Sequence, residues 1–257
     1  MFSDAKRYCV PLVFLALGFS QSCSIKEDRE ICPCYLTVMR PDSEAGLRGE
    51  VFWYLAAGDY SFGGKIEDGE REVCDIEVPR EVLRLIAVSG MTGELSINGG
   101  LRIEEGNDCP PVYFYKTELD ARCNSLRDTI HLHKNYCNVS IEGDISSDFT
   151  YVLSGSSCGF DWDGNILKGG FSAAFREEER GFCCRVPRQA DGSLRLDVYQ
   201  GSEMARSFPI GELIVQSGYD WSAEDLEDIE ISLDYTGTQV TFTVNGWQHQ
   251  LTFYYEF

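Results

Sequence analysis

Cationic residues are scarce in this sequence: 22 Lys and Arg stand against 42 Asp and Glu, for a formal net charge of −20. A field of that sign repels phosphate backbones, which argues against nucleic acid as a partner. Long apolar runs are missing too. The longest, Cys9 to Phe19, is about eleven residues, too short to cross the roughly 30 Å hydrocarbon core of a bilayer as a helix. No later window approaches eighteen apolar residues, so nothing after it reads as a membrane-spanning helix. His-Glu-x-x-His and Walker-type loops are absent, and nothing marks a particular carboxylate pair for glycoside cleavage. The sequence therefore names no catalytic residue and implies no cofactor; it reads as a non-enzymatic protein. What is present is a globular composition, 43% hydrophobic and 12% aromatic, in 257 residues, enough for two domains of roughly 100 residues each.

The first 22 residues read as an export signal. Lys6 and Arg7 precede the apolar run, and Ser20-Gln21-Ser22-Cys23 follows it with a small residue directly before a cysteine. That is the pattern of a bacterial lipoprotein processing site, with Ser20 where leucine is usual. The expected product carries a diacylglycerol thioether and further acyl chains, palmitate among them, on Cys23. The plainer alternative is an ordinary secretory signal cleaved near Ser22. Residues 23–30 form an acidic, polar tether that resembles the signal sending some Bacteroidota lipoproteins to the outer face of the outer membrane. Acyl chains contribute about 0.8 kcal/mol per buried methylene, so several together hold a protein at a membrane.

Of eleven cysteines, Cys9 leaves with the signal and Cys23 is the acylation candidate. The nine that remain allow up to four disulfides and one free thiol, with no pairing legible. Cys32-Pro33-Cys34 and the adjacent Cys183 and Cys184 lack the spacing of zinc ligands. His131 and His133 would share a face on a strand and so could share a metal, although polar structural residues explain them as well. Asp161-Trp162-Asp163-Gly164-Asn165 begins like a calcium loop, but its twelfth position is Ser172 rather than Glu, and a turn accounts for the same residues. No metal site is expected.

Short β-branched and aromatic runs dominate the rest: Tyr35 to Met39, Val51 to Ala56, Cys74 to Val78, Leu83 to Val88 and Val112 to Tyr115. After Asp128 the pattern restarts with Thr129 to His133, Val139 to Ile141, Tyr151 to Leu153, Leu194 to Val198 and Ile229 to Leu233. Strands at this spacing without crossover helices predict an all-β chain of two tandem antiparallel sandwiches. The strongest local signal is Val240 to Val244, Asn245-Gly246, then Trp247 to Tyr255, a two-residue hairpin. It places Val240, Phe242 and Val244 on one face with Trp247, Leu251, Phe253 and Tyr255, either as core or as a contact with another subunit.

Four segments together resemble the FimB-type fimbrial anchor family of Bacteroidota. They are Cys23 to Asp28 with Cys32-Pro33; Leu132-His133-Lys134-Asn135-Tyr136-Cys137-Asn138-Val139-Ser140-Ile141; Gly218-Tyr219-Asp220-Trp221 with Leu226-Glu227-Asp228-Ile229; and Leu233-Asp234-Tyr235 leading into Val240 to Trp247. The resemblance spans nearly all of the mature chain. It implies an outer-membrane lipoprotein of two transthyretin-like sandwiches, residues 31–127 and 128–257, that joins a type V pilus to the cell and influences its length. The implied partners are fimbrial shaft or accessory pilin subunits held by strand addition, which uses the unpaired backbone groups of an open sheet edge. A surface lipoprotein that binds glycans through exposed Trp and Tyr is the alternative. Mass spectrometry of the mature chain is expected to find a lipid-modified Cys23 at its N-terminus; an unmodified terminus at another residue, with the protein free in the periplasm, would remove the anchor.

Overall fold

The computed structural model describes residues 32–40, 49–91, 99–143, 148–178, 181–236 and 239–252. The export signal, Cys23, the tether, Phe253 and Tyr255 lie outside them, as do the side chains of Val240 and Leu251. Strands are numbered in chain order.

Alternation builds the first sandwich. β1 (Cys34–Met39) turns Cys34, Leu36 and Val38 inward, and β2 (Val51–Ala57) turns Val51, Trp53 and Leu55 inward, all of them buried. β1 is the middle of a three-stranded sheet, with β4 (Glu72–Val78) antiparallel on one side and β8 (Ser125–Thr129) parallel on the other. β2 belongs to an antiparallel sheet in the order β3 (Tyr60–Ile66), β2, β5 (Val82–Ser89), β7 (Tyr113–Asp120), β9 (His133–Lys134). Between the two sheets lies a core that includes Leu36, Trp53, Leu55, Leu85 and Ile130.

The second sandwich repeats the plan. β10 (Tyr136–Gly143) stands where β1 does, with β14 (Gly181–Pro187) antiparallel and β17 (Ile229–Thr236) parallel beside it. β12 (Ile166–Ala174), β11 (Thr150–Phe160), β15 (Arg195–Gln200) and β16 (Glu203–Phe208) follow the order of β3, β2, β5 and β7. To this plan the second unit adds β13 (Arg176–Glu178) on β14, and the hairpin β18 (Gln239–Val244) and β19 (Trp247–Thr252) beyond β17. A short helix, α1 (Ile210–Gln216), buries Ile210, Leu213 and Ile214 after β16.

β5 ties the two cores together. Successive strand residues face opposite sides, so Leu83, Leu85 and Ala87 enter the first core while Ile86 and Val88 enter the second. This double burial explains why Leu83 to Val88 reads as a nearly unbroken apolar run. Residues 101–112 reinforce the join: β6 (Leu101–Arg102) pairs with β11, and Ile103, Cys109 and Val112 are part of the second core. The β6 pairing needs glycine at position 159, where φ is +140° and a Cβ would stand 1.9 Å from the Leu101 carbonyl oxygen. Phe114 on β7 meets Phe160 edge-on at 5.0 Å between centroids and stacks on Trp162 at 6.4 Å. At the rim, Arg84 pairs with Asp163 at 2.6 Å and Lys116 donates to the Asp163 carbonyl at 2.9 Å. From Cys34 onward the described residues form one compact unit.

The all-β sandwich expectation holds, with two refinements. Each three-strand core contains one parallel pair, β1–β8 and β10–β17, whose partners are far apart in sequence and so leave no local signal. Thr129 to His133 is not a single strand: β8 ends at Thr129 and β9 begins at His133, while Ile130 and Leu132 plug the first core as the chain passes from one sheet to the other. β3 escaped the pattern because it carries Gly63 and Gly64. A Cβ at Gly64 would stand 2.7 Å from the Trp53 ring, so the missing side chain leaves room for that indole. Phe160→Ala is expected to lower unfolding free energy by about 3–5 kcal/mol in urea titration, because it empties a buried site shared by both sandwiches; a loss under about 1 kcal/mol would show that the junction contributes little.

Candidate functional site

The hairpin forms as its sequence demands. Asn245 and Gly246 adopt positive φ, 47° and 84°, and the register pairs Val244 with Trp247, Phe242 with His249 and Val240 with Leu251. The turn is sewn to β17, since the Asn245 N–H donates to the Glu230 carbonyl at 3.0 Å and the Glu230 N–H donates to Asn245 Oδ1 at 2.9 Å. Phe242 and Val244 are fully buried, Phe242 edge-on to Phe208 at 5.1 Å, and Trp247 is half-buried against the same core. Trp247 thus lies on the core-facing side. β19 pairs with β18 alone among the described residues and closes the six-stranded sheet as an edge. In a two-residue hairpin the flanking pair Val244–Trp247 is the hydrogen-bonded one. The backbone N–H and C=O of Gln248 therefore point outward, and its side chain is exposed.

Two of the four segments behind the family resemblance meet in one polar knot. Asp228, immediately before β17, accepts from Lys134 Nζ at 2.5 Å, the Asn138 N–H at 2.8 Å and Asn138 Nδ2 at 3.0 Å. Asp225 accepts from the Lys134 N–H at 2.6 Å and faces His133 Nδ1 at 3.1 Å. Arg188 completes the knot: its guanidinium donates to Asn135 Oδ1 at 2.8 Å and to the carbonyls of Trp221, Ala223 and Glu224. Burial works against charge at both aspartates, but the bonds from Lys134 and its neighbours outweigh it and hold both carboxyls below the usual range. Nothing in the sequence singled out Arg188 or Asp225; their partners lie 33 or more residues away.

Beside this knot a cavity of about 580 Å³ opens among Phe114, Tyr115 and Lys116 of β7, His133, Arg188, Gln189 and Trp221. Gln189 Oε1 and the Trp221 indole N–H are buried and make no hydrogen bond to the described residues. With aromatic faces beside Lys116 and His133, the cavity has the chemistry to hold a small polar molecule.

The other sequence candidates resolve into structure. Asp161 Oδ1 accepts from the N–H groups of Asp163 and Asn165, and Oδ2 from the Asn165 amide, which is an Asx turn. His133 sits against Asp225, whereas His131 lies edge-on to Tyr115 at 6.1 Å; they do not converge. Among the described residues no three His, Cys, Asp or Glu side chains are placed to share a metal ion.

No protein-family model matches this sequence, and no curated protein does. Solved structures share its fold. A protein from Bacteroides thetaiotaomicron proposed to bind polysaccharide superimposes with a TM-score of 0.65 at 15% identity, covering 85% of this chain and 98% of its own. The fimbrial anchor protein Mfa2 from Porphyromonas gingivalis superimposes with a TM-score of 0.60 at 13% identity, covering 84% and 99%. A proposed adhesin from Bacteroides ovatus gives 0.53 at 11% identity, covering 85% and 95%. The chain thus has a fold found in a fimbrial anchor and in proteins proposed as adhesins, over nearly the full length of each.

Asp228→Ala is expected to lower stability by about 1–2 kcal/mol, since it removes three hydrogen bonds at a half-exposed site. Because the folded values of Asp225 and Asp228 are depressed, their contribution is complete above the ordinary aspartate pKa of about 4 and fades as pH falls through the folded values. The variant should therefore lose less stability than the parent between about pH 5 and 2. Parallel acid limbs in denaturant titrations of the two would disprove this role.

Proposed function

We propose that this chain is a non-enzymatic lipoprotein of the outer membrane, facing the cell exterior, that holds a fimbria by strand addition at the edge of β19. In this reading Cys23 carries the lipid and residues 23–30 form the tether. The N-terminal sandwich is membrane-proximal, and the C-terminal sandwich presents the edge. The observation that carries it is that edge: a strand backed by Phe242, Val244 and the half-buried Trp247, with outward backbone groups at Gln248 and no partner among the described residues. An open edge of this kind binds an extended segment through main-chain bonds while side-chain pockets select it. The likeness in fold to Mfa2, a fimbrial anchor, supports the reading. Trp247 and Leu251, with Phe253 and Tyr255 further along, are the residues assigned to subunit contact, and the partner is a shaft or accessory pilin subunit.

Gln248→Pro isolates the edge. Proline there removes an outward N–H and leaves the bonds to β18 in place, a substitution that edge strands tolerate. The expected result is an unchanged β signal, a melting temperature within about 2 °C of the parent, and fimbriae released into the medium instead of co-purifying with the outer membrane. Fimbriae still attached to a folded Gln248→Pro variant would defeat the proposal.

The cavity beside β7 favours a second reading, surface glycan binding, in line with the proposed polysaccharide binding of one structural neighbour. Glycan retention lost in Tyr115→Ala but kept in Gln248→Pro would favour it over strand addition.

A further inference from the structure

The nine cysteines after Cys23 left pairing open, and the structure brings two of them together. Cys34 Sγ and Cys123 Sγ lie 3.8 Å apart across a sequence separation of 89 residues. Cys34 opens β1 and is fully buried; Cys123 is partly exposed in the turn between β7 and β8. That turn is docked, not loose. The Tyr35 N–H donates to the Asn124 carbonyl at 3.1 Å, Arg80 donates to Asn124 Oδ1 at 2.6 Å, and the parallel β1–β8 ladder starts at once with Tyr35 opposite Ser125. The sulfurs meet because the sheet register puts them there.

We propose that Cys34 and Cys123 close to a disulfide under the oxidising conditions outside the cytoplasm, stapling the first strand of the fold to the far end of the same sandwich. The inference rests on the export reading above for its compartment, and on geometry for its pairing. An external disulfide is the oxidant. Cys123, the accessible thiol, loses its proton and attacks it, forming a mixed disulfide and expelling one thiol. Cys34 then loses its proton and attacks Cys123 Sγ, which forms the internal bond and expels the second thiol. The chain gives up two protons and two electrons, and the external disulfide becomes two thiols. Burial, then the contact with Cys123, pushes the Cys34 thiol up to about 11, which makes Cys34 a poor target for bulk reagents and leaves Cys123 as the point of entry. Closure needs the sulfurs to move together by only about 2 Å.

The staple falls at a mechanically meaningful place. Cys34 is where the chain enters β1, so tension on the preceding segment arrives at that residue. Without the bond, hydrogen bonds to β4 and β8 and core packing carry the load. With it, the load passes covalently to the β7–β8 turn.

The test uses the full mature chain in two preparations: one taken from cells with thiols trapped by alkylation, the other purified, reduced and treated while folded with oxidised glutathione. Peptide mapping without reduction is expected to find a Cys34–Cys123 linked peptide in both. Reduction should lower the melting temperature by roughly 5–10 °C in the parent. Cys123→Ala, at a partly exposed site, should fold, lack the linked peptide and lose that part of the response to reductant. Failure of the glutathione-treated chain to give the linked peptide, or either cysteine paired elsewhere, overturns the inference. Closure in vitro with both thiols free in the cellular sample keeps the pairing and removes the export reading instead.

Discussion

The second sandwich depends on how β17 is set against β10. A parallel pair cannot be registered by a tight turn, and a slip of one residue would exchange the core and solvent faces of the strand. The knot around Asp225 and Asp228 supplies the missing registration. Asp228 holds the Asn138 N–H immediately before the ladder opens with Val139 opposite Ile229, while Asp225 holds the Lys134 N–H and Arg188 the Asn135 side chain just upstream. Ile229, Ile231 and Leu233 then face inward. β18 pairs on β17, β19 on β18, and the edge strand β19 inherits its position from this registration.

Because the two sandwiches repeat one strand order, their differences stand out. The first ends its three-stranded sheet at β8, whereas the second carries a hairpin beyond the corresponding β17. The hairpin is therefore an addition to a plan that closes without it. Its inner face, with Phe242 and Val244 buried and Trp247 half-buried, packs on the second core, and the backbone edge of β19 has no partner strand among the described residues. The apolar join through β5, Phe114 and Phe160 packs the two sandwiches against each other.

Elements with strong local chemistry were legible in the sequence. The Asn245-Gly246 turn tolerates positive φ and its strands alternate, so both hairpin and register could be read without a fold. β1, β2, β5, β10, β11, β15 and β17 announced themselves by β-branched and aromatic runs. β3, β12 and β16 did not, because their partners supply the burial and their own residues are small, glycine-rich or polar. The family resemblance rested on segments around Lys134 and Asp228 whose meaning was hidden until they met: about 90 residues apart, they form a single hydrogen-bonded unit.

By itself the sequence determined the sign of the charge, the all-β class and the C-terminal hairpin, since each depends on composition or on neighbours within a few residues. Tertiary structure alone decided the parallel pairs, the shared burial of β5, the repeat of one sandwich in the other, the polar knot and the meeting of Cys34 with Cys123. All of these join residues tens of positions apart, and no local pattern records which distant partner a strand, a carboxylate or a thiol will find.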